Sequence, residues 1–327
     1  MCNLRRYLLL FIGIIQGCNW LFPPVLPKIS EISVTGYPIS INIDSPYVYI
    51  GTQREGLKIV KIESPESPVI VSSFFKPDTI DTVREIKLYE GNLVIASSAL
   101  SIIDVSNPIY PRIKAIYDTN ARFGVHSIVL VDSFIYASVL IKGNPFINIY
   151  KVPSLELLRS LKEKSCARLV TDSNYLYLCW SGEHVDILDI RDRTNPIRCY
   201  EVSQDTYYFG EPYDVYADDA EIQDNYLFIT DGWFSIIDVS DKAHPMVIYC
   251  DCRPWGDVVH FALTKEYVFL LARESIEIYN ISRLPKVKHV DTEVLEETGT
   301  EMAIGKRYMY LITGRKLKVL DGSKFIE

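Results

Sequence analysis

The phrase "IIDVS" stands at Ile102–Ser106 and again, unchanged, at Ile236–Ser240. Internal repetition restricts a chain to few folds, because each unit must bury its apolar face against its neighbours. The likeness runs further than five letters. "SIIDVSNPIYPRIKAIYDT" (Ser101–Thr119) aligns with "SIIDVSDKAHPMVIYCDCR" (Ser235–Arg253), and weaker copies begin at Lys58, Asn148, Asp186, Glu277 and Lys318. The fourth residues of these Ile/Val-rich runs are Lys61, Asp104, Lys151, Asp189, Asp238, Asn280 and Asp321, spaced 43, 47, 38, 49, 42 and 41 apart. Seven copies at that interval match the period of propeller blades, about 40–50 residues. The two identical phrases lie three blades apart.

Each repeat reads as four short strands. A second β-branched and aromatic run precedes each copy, from "VYIG" at Val48 to "MYLI" at Met309, and turn residues such as "DSP", "EGN" and "DSN" precede those runs. No segment sustains a 3.6-residue apolar period, so helices should be rare. The predicted fold is therefore all-β: a seven-bladed β-propeller of four-stranded antiparallel blades. The last copy lacks its fourth strand after Asp321. That piece is expected from the other end, because Pro27 opens "PKISEISVT" as Pro68, Pro111, Pro153, Pro196, Pro245 and Pro285 open the other fourth strands. Pairing there would close the ring and remove two exposed edges.

The phrases "LVIAS…SIIDVSNP" and "LFITDG…SIIDVSD" resemble those of LVIVD-repeat proteins, over Pro27 to the C-terminus. The resemblance is specific in repeats two and five and degenerate in repeat three, where "KVPS" stands. It implies a propeller and an extracytoplasmic, often surface-anchored, life. It implies no catalytic residues. The repeated Asp104, Asp189 and Asp238 read as strand-end acceptors for turn hydrogen bonds.

The N-terminus reads as a targeting segment. Arg5 and Arg6 precede the apolar run Tyr7–Ile15, which is shorter than the ~20 residues a bilayer span needs. "IQGC" then resembles a bacterial lipobox with Cys18 as the lipidated residue. The expected organisation is a lipoprotein signal peptide over 1–17, a tether over 18–26 and one propeller over 27–327. The protein is then exported and lipid-anchored to the cell membrane or outer membrane, facing the periplasm or exterior. Loss of 1–17 takes the net charge from −8 to −10, since that stretch holds two Arg and no acid. Such a balance argues against nucleic acid and anionic lipid, and leaves the anchor as the membrane contact.

Two places could carry a site. Seven residues before the aromatic or polar residue that precedes each second strand stand Ser40, Glu85, Ser127, Arg168, Asp219, His260 and Glu301, all polar. The next residues, Ile41, Ile86, Ile128, Leu169, Ala220, Phe261 and Met302, are all apolar and should pack between blades. The polar set is expected beside the central channel. It could hold a cation or a water chain, or pair internally, Arg168 with Glu85 or Asp219; buried charge favours pairing. The second place is a long connector between blades four and five, holding Tyr207, Tyr208, Phe209, Glu211, Tyr213 and Asp214. It suits recognition on a rim, since Tyr offers area and a hydroxyl. The bland reading is a self-packed loop plugging the channel mouth.

Nucleophile-elbow, zincin, P-loop and dinucleotide motifs are missing from the sequence, and its five His lack metal-ligand spacing. Catalysis would need a site dispersed over several blades. No cofactor is expected beyond a channel cation. Cys166 and Cys179 flank the "TDSN" turn and could form a cross-strand disulfide. The expected activity is binding or scaffolding of a protein or glycan at the cell envelope through one rim. The alternatives are a dispersed-site extracytoplasmic enzyme and a purely structural envelope component.

Overall fold

The computed structural model describes residues 24–117, 124–141, 143–163, 168–179, 185–202, 207–208, 211–212, 219–230, 233–251 and 258–326. Among the described residues there is no helix. Seven four-stranded antiparallel sheets follow one another, each in the order first, second, third, fourth strand. The first strands are Tyr37–Asp44, Glu85–Tyr89, Val125–Val131, Arg168–Thr171, Asp219–Gln223, Val258–Leu263 and Gly299–Ile304. Each lies beside the next, and the seventh lies beside the first, so the ring is closed around an axis lined by first strands.

The seventh blade takes its outer strand from the N-terminus. Lys28–Ser33 pairs antiparallel with Lys316–Asp321, with Lys28 opposite Leu320, Glu31 opposite Lys318 and Ser33 opposite Lys316. The ladder continues at both ends: Asp321 N–H donates to Pro27 O and Val34 N–H to Arg315 O, each at 2.8 Å. The chain is pinned just before this strand as well. Val25 and Leu26 N–H donate to the Glu293 carboxylate on the outer strand of blade six, at 2.6 and 3.0 Å. Leu26 is buried in a cluster with Phe325 and Ile326, so the residues just before the first described strand pack against those just after the last.

Burial explains the sequence pattern. Second and third strands such as Asn92–Ala96 and Leu100–Asp104 lie under cover on both faces, and so read as continuous apolar runs. Fourth strands are half exposed: Arg112–Tyr117 runs from exposed at its start to partly covered at its end. The apolar register packs against the preceding blade. Ile86 joins Tyr49, Leu57 and Ile59 of blade one, and Phe261 joins Phe228 and Phe234 of blade five. Each such buried side chain contributes roughly 1.5–3 kcal/mol. Between third and fourth strands every blade shifts register at the same repeat position, for example at Ile59/Val60, Ile102/Ile103 and Ile236/Ile237. A bulge there adds twist to the outer edge. Gly51 marks one close approach: a Cβ there would collide with Ser40 Oγ and Val83 O, so a side chain would push blades one and two apart.

Two details depart from the simple repeat. The fourth strand of blade three begins at Glu156, three residues after Pro153, because Val152–Leu155 forms a wider turn. The apolar stretch Ser138–Phe146 extends the blade-three hairpin, with Ile141 opposite Asn144.

Antiparallel order gives the ring two distinct rims. One, the connector rim, carries the links from each fourth strand to the next first strand and the second-to-third turns. The other, the turn rim, carries the first-to-second and third-to-fourth turns. Strand Lys28–Ser33 begins at the turn rim, beside Asp321, and ends at the connector rim, beside Lys316.

Candidate functional site

All seven residues of the polar register lie on first strands, and six of them reach into the next blade. Ser40 Oγ donates to Val83 O of blade two at 2.8 Å. Glu85 Oε2 accepts from Ile128 N–H of blade three at 2.7 Å, and Ser127 Oγ accepts from Leu169 N–H of blade four at 3.0 Å. Arg168 Nε lies 3.1 Å from Asp219 Oδ1 of blade five. His260 Nδ1 of blade six lies 2.6 Å from Asp219 Oδ2, and His260 Nε2 lies 3.0 Å from Met302 O of blade seven. The register is thus a row of stitches running once around the channel. Glu301, the seventh member, turns back toward His260 at 3.7 Å instead of reaching blade one.

Charge in this ring is internally matched. Glu85 Oε1 faces Lys87 at 2.9 Å and Arg168 at 3.6 Å across the channel, so Arg168 bridges Glu85 and Asp219. Both ring nitrogens of His260 face acceptors, which requires an imidazolium. Burial works against that charge, but the Glu301 and Asp219 carboxylates outweigh it and hold the His260 pKa up to about 9. Burial likewise opposes ionised Asp219 and Glu85. Arg168 and His260 hold Asp219 well below the usual carboxylate range, and Lys87 and Arg168 hold Glu85 below it. Glu301, buried with weaker compensation, is pushed up. Among the described residues no group of three His, Cys, Asp or Glu side chains is arranged to hold a metal ion. Chemically this is a structural ion network, with its donors and acceptors directed at backbone and at one another.

The connector rim differs. At the seam between blades seven and one lies an open groove of about 630 Å³, lined by Ser33–Tyr37, Glu55, Glu297, Thr298, Thr300 and Thr313–Lys316. It occupies the one junction that the polar register does not stitch. Six hydroxyl-bearing residues line it: Ser33, Thr35, Tyr37, Thr298, Thr300 and Thr313. Thr300 Oγ1 is buried with no hydrogen-bond partner among the described residues. Lys316 and Thr313 engage Glu297 at 2.9 and 3.0 Å and hold its pKa down to about 2. Arg315, exposed at the lip, makes no ion pair among the described residues. This groove comes from turns distant in sequence, so no local motif announced it.

The long connector between blades four and five forms a small hairpin, Tyr207–Tyr208 paired with Glu211–Pro212. Tyr207–Tyr208 runs close to Met246–Asp251, the outermost strand of blade five, and so lies toward the outside of the ring. Phe209, Tyr213 and Asp214 lie outside the described residues, as do Cys18 and Cys166. Cys179 is buried and stands opposite Arg168 in register.

The repeated acids do turn work. Oδ1 of Asp104, Asp189 and Asp238 accepts from the backbone N–H two residues on, each at 2.9 Å, and Asp321 does the same at 2.9 Å.

Comparison with known proteins bears on this arrangement. The model of the LVIVD repeat matches residues 35–75, 82–119 and 215–249. The chain is a seven-bladed β-propeller that carries LVIVD repeats at these three places. The matches fall on blades one, two and five. Blade one is included although Lys61 replaces the repeat's acid there. A comparison with curated proteins found no match. Among solved structures, the computationally designed Ika8 protein is similar, with a TM-score of 0.62 at 10% identity over 90% of this chain and 99% of that one. At that identity the likeness speaks for the fold alone.

Proposed function

We propose that this propeller is an exported, lipid-anchored binding module that holds a protein or glycan partner at the cell envelope through its connector rim. The observation that carries the reading is the hydroxyl-lined groove at the seam. Its volume falls in the range of ligand sites, about 300–1,000 Å³. Ser33, Thr35, Tyr37, Thr298 and Arg315 are exposed there, whereas the polar groups of the channel are turned inward to the blades. The Tyr-rich hairpin belongs to a connector of the same rim, and exposed Tyr37, Phe75 and Trp233 stand there too. Aromatic groups with hydroxyl and guanidinium neighbours suit either a peptide or a sugar face. Export and anchoring rest on the Arg5–Arg6, apolar run and Cys18 order of the sequence.

A dispersed-site enzyme in the channel draws less support. A catalytic acid or base needs freedom to exchange its proton with substrate. Asp219, Glu85 and His260 are each held by two or more partners.

The test is capture of a partner from native envelope by the membrane-bound protein. Thr35→Trp with Thr298→Trp fills the groove at two exposed positions. A separate Tyr207→Ser, Tyr208→Ser, Phe209→Ser variant strips the hairpin. Both should melt within a few degrees of the parent, and at least one should reduce capture tenfold or more. Capture unchanged in both variants would refute the connector rim as the binding face.

A further inference from the structure

The turn rim is unevenly charged. In blades one to five its turns carry more acids than bases, among them Asp44, Glu63, Glu90, Asp132, Asp172 and Asp224. In blades six and seven the balance reverses. Lys265, Arg283, Lys286, Lys306, Arg307 and Lys324 stand there against Glu266 and Asp321. All six cations are exposed. Arg307 pairs with Asp321 and Lys324 with Asp291, whereas the side chains of Lys265, Arg283, Lys286 and Lys306 have no partner among the described residues.

The same sector receives the chain's N-terminal end. Pro27 is tied to Asp321 at the turn rim of blade seven, and Val25 and Leu26 to Glu293 on the outer strand of blade six, so the chain reaches the ring along the outer edge between these two blades. If Cys18 carries lipid, the six residues before Pro24 span at most about 20 Å. That length keeps the edge of blades six and seven within reach of the bilayer surface, where the cations of their turn rim would turn that rim toward the membrane and the connector rim away from it. Charge on the whole chain points away from anionic lipid, but its distribution gathers the cations in the blades beside which the tether attaches.

We propose that the turn rim of blades six and seven is a membrane-facing surface that takes the headgroups of anionic lipids through Lys265, Arg283, Lys286 and Lys306. The inference deepens the anchored-module reading and rests on it for the position of the bilayer. Basic residues beside a lipid anchor add attraction to anionic headgroups, and that attraction fades within a Debye length.

The full-length protein is reconstituted in vesicles of phosphatidylcholine alone or with about a third phosphatidylglycerol, and its lysines are acetylated and read by mass spectrometry. Lys76, on a connector opposite the membrane, is the internal control. Labelling of Lys265, Lys286 and Lys306 should slow at least threefold relative to Lys76 in the anionic vesicles at low salt. The difference should vanish in phosphatidylcholine and at about 0.5 M salt. The Lys265→Glu, Arg283→Glu, Lys286→Glu, Lys306→Glu variant should stay attached to both vesicles, with the Lys324 label no longer lipid-dependent. Equal labelling of all lysines in anionic vesicles, or equal protection in both lipids, would overturn the inference. The anchor is tested separately by Cys18→Ser on phosphatidylcholine vesicles: retention equal to the parent would overturn the anchor and leave the lysine result to stand or fall alone.

Discussion

His260 shows how far single residues could be read. Its place beside the channel follows from counting back seven residues from Tyr267. Its partners do not, because Asp219 and Met302 belong to other blades and meet it only once the ring is closed. The pairing has a pH signature. The folded pKa is raised to about 9 against about 6.5 in the unfolded chain, so the stability it supplies is complete below pH 6.5. That stability is lost as pH rises through about 9. Its size is of order 1–3 kcal/mol, since one pKa unit corresponds to about 1.4 kcal/mol. Thermal melts of the parent and His260→Asn should therefore differ most near pH 6 and converge by about pH 9.5. A gap that stays constant or widens with pH would show that His260 is not held as an imidazolium.

Strands were legible where burial is two-sided, and least legible where the chain leaves the blades. Continuous apolar runs marked the second and third strands of every blade. Blade three's late fourth strand was not readable, because "KVPSL" carries the proline but forms a wider turn before Glu156. The hairpin in the long connector was hidden too, since two residue pairs leave no periodic signal. The turns after the third strands are the clearest case of sequence becoming geometry. The strand-end acid fixes the following N–H, which ties the turn to its strand. Asp238→Ala should remove that acceptor and cost about 1 kcal/mol. Asp238→Asn, which keeps the acceptor, should cost less than half of that. Equal losses in denaturant melts would mean that charge and not the hydrogen bond matters at this turn.

The period fixed the number of blades, and the missing fourth strand of the last repeat fixed how the ring closes. The seam groove was not legible, because it is assembled from the start of one blade, the end of another and two turns. Closure depends on one six-residue strand, Lys28–Ser33, and its pinned neighbours. Deleting Pro27–Thr35 exposes the edge of Lys316–Asp321 and uncovers the cluster in which Val34 packs with Ile312 and Val319. The truncated chain should lose its cooperative unfolding transition or aggregate, since exposed edges template pairing with other chains. A clean, parent-like melt would mean that the ring does not depend on this strand.

Division of labour between the two rims is the central claim, and the footprint of the captured partner tests it most directly. Hydrogen exchange of the membrane-bound protein should be compared with and without that partner. The account predicts slower exchange in Ser33–Tyr37, Thr298–Thr300 and Thr313–Lys316, and in Tyr207–Pro212, with the first-to-second turns unchanged. Protection confined to the turns at Asp44–Tyr47, Asp132–Phe134 and Asp224–Tyr226 would contradict it, because the partner would then sit on the rim assigned to the membrane.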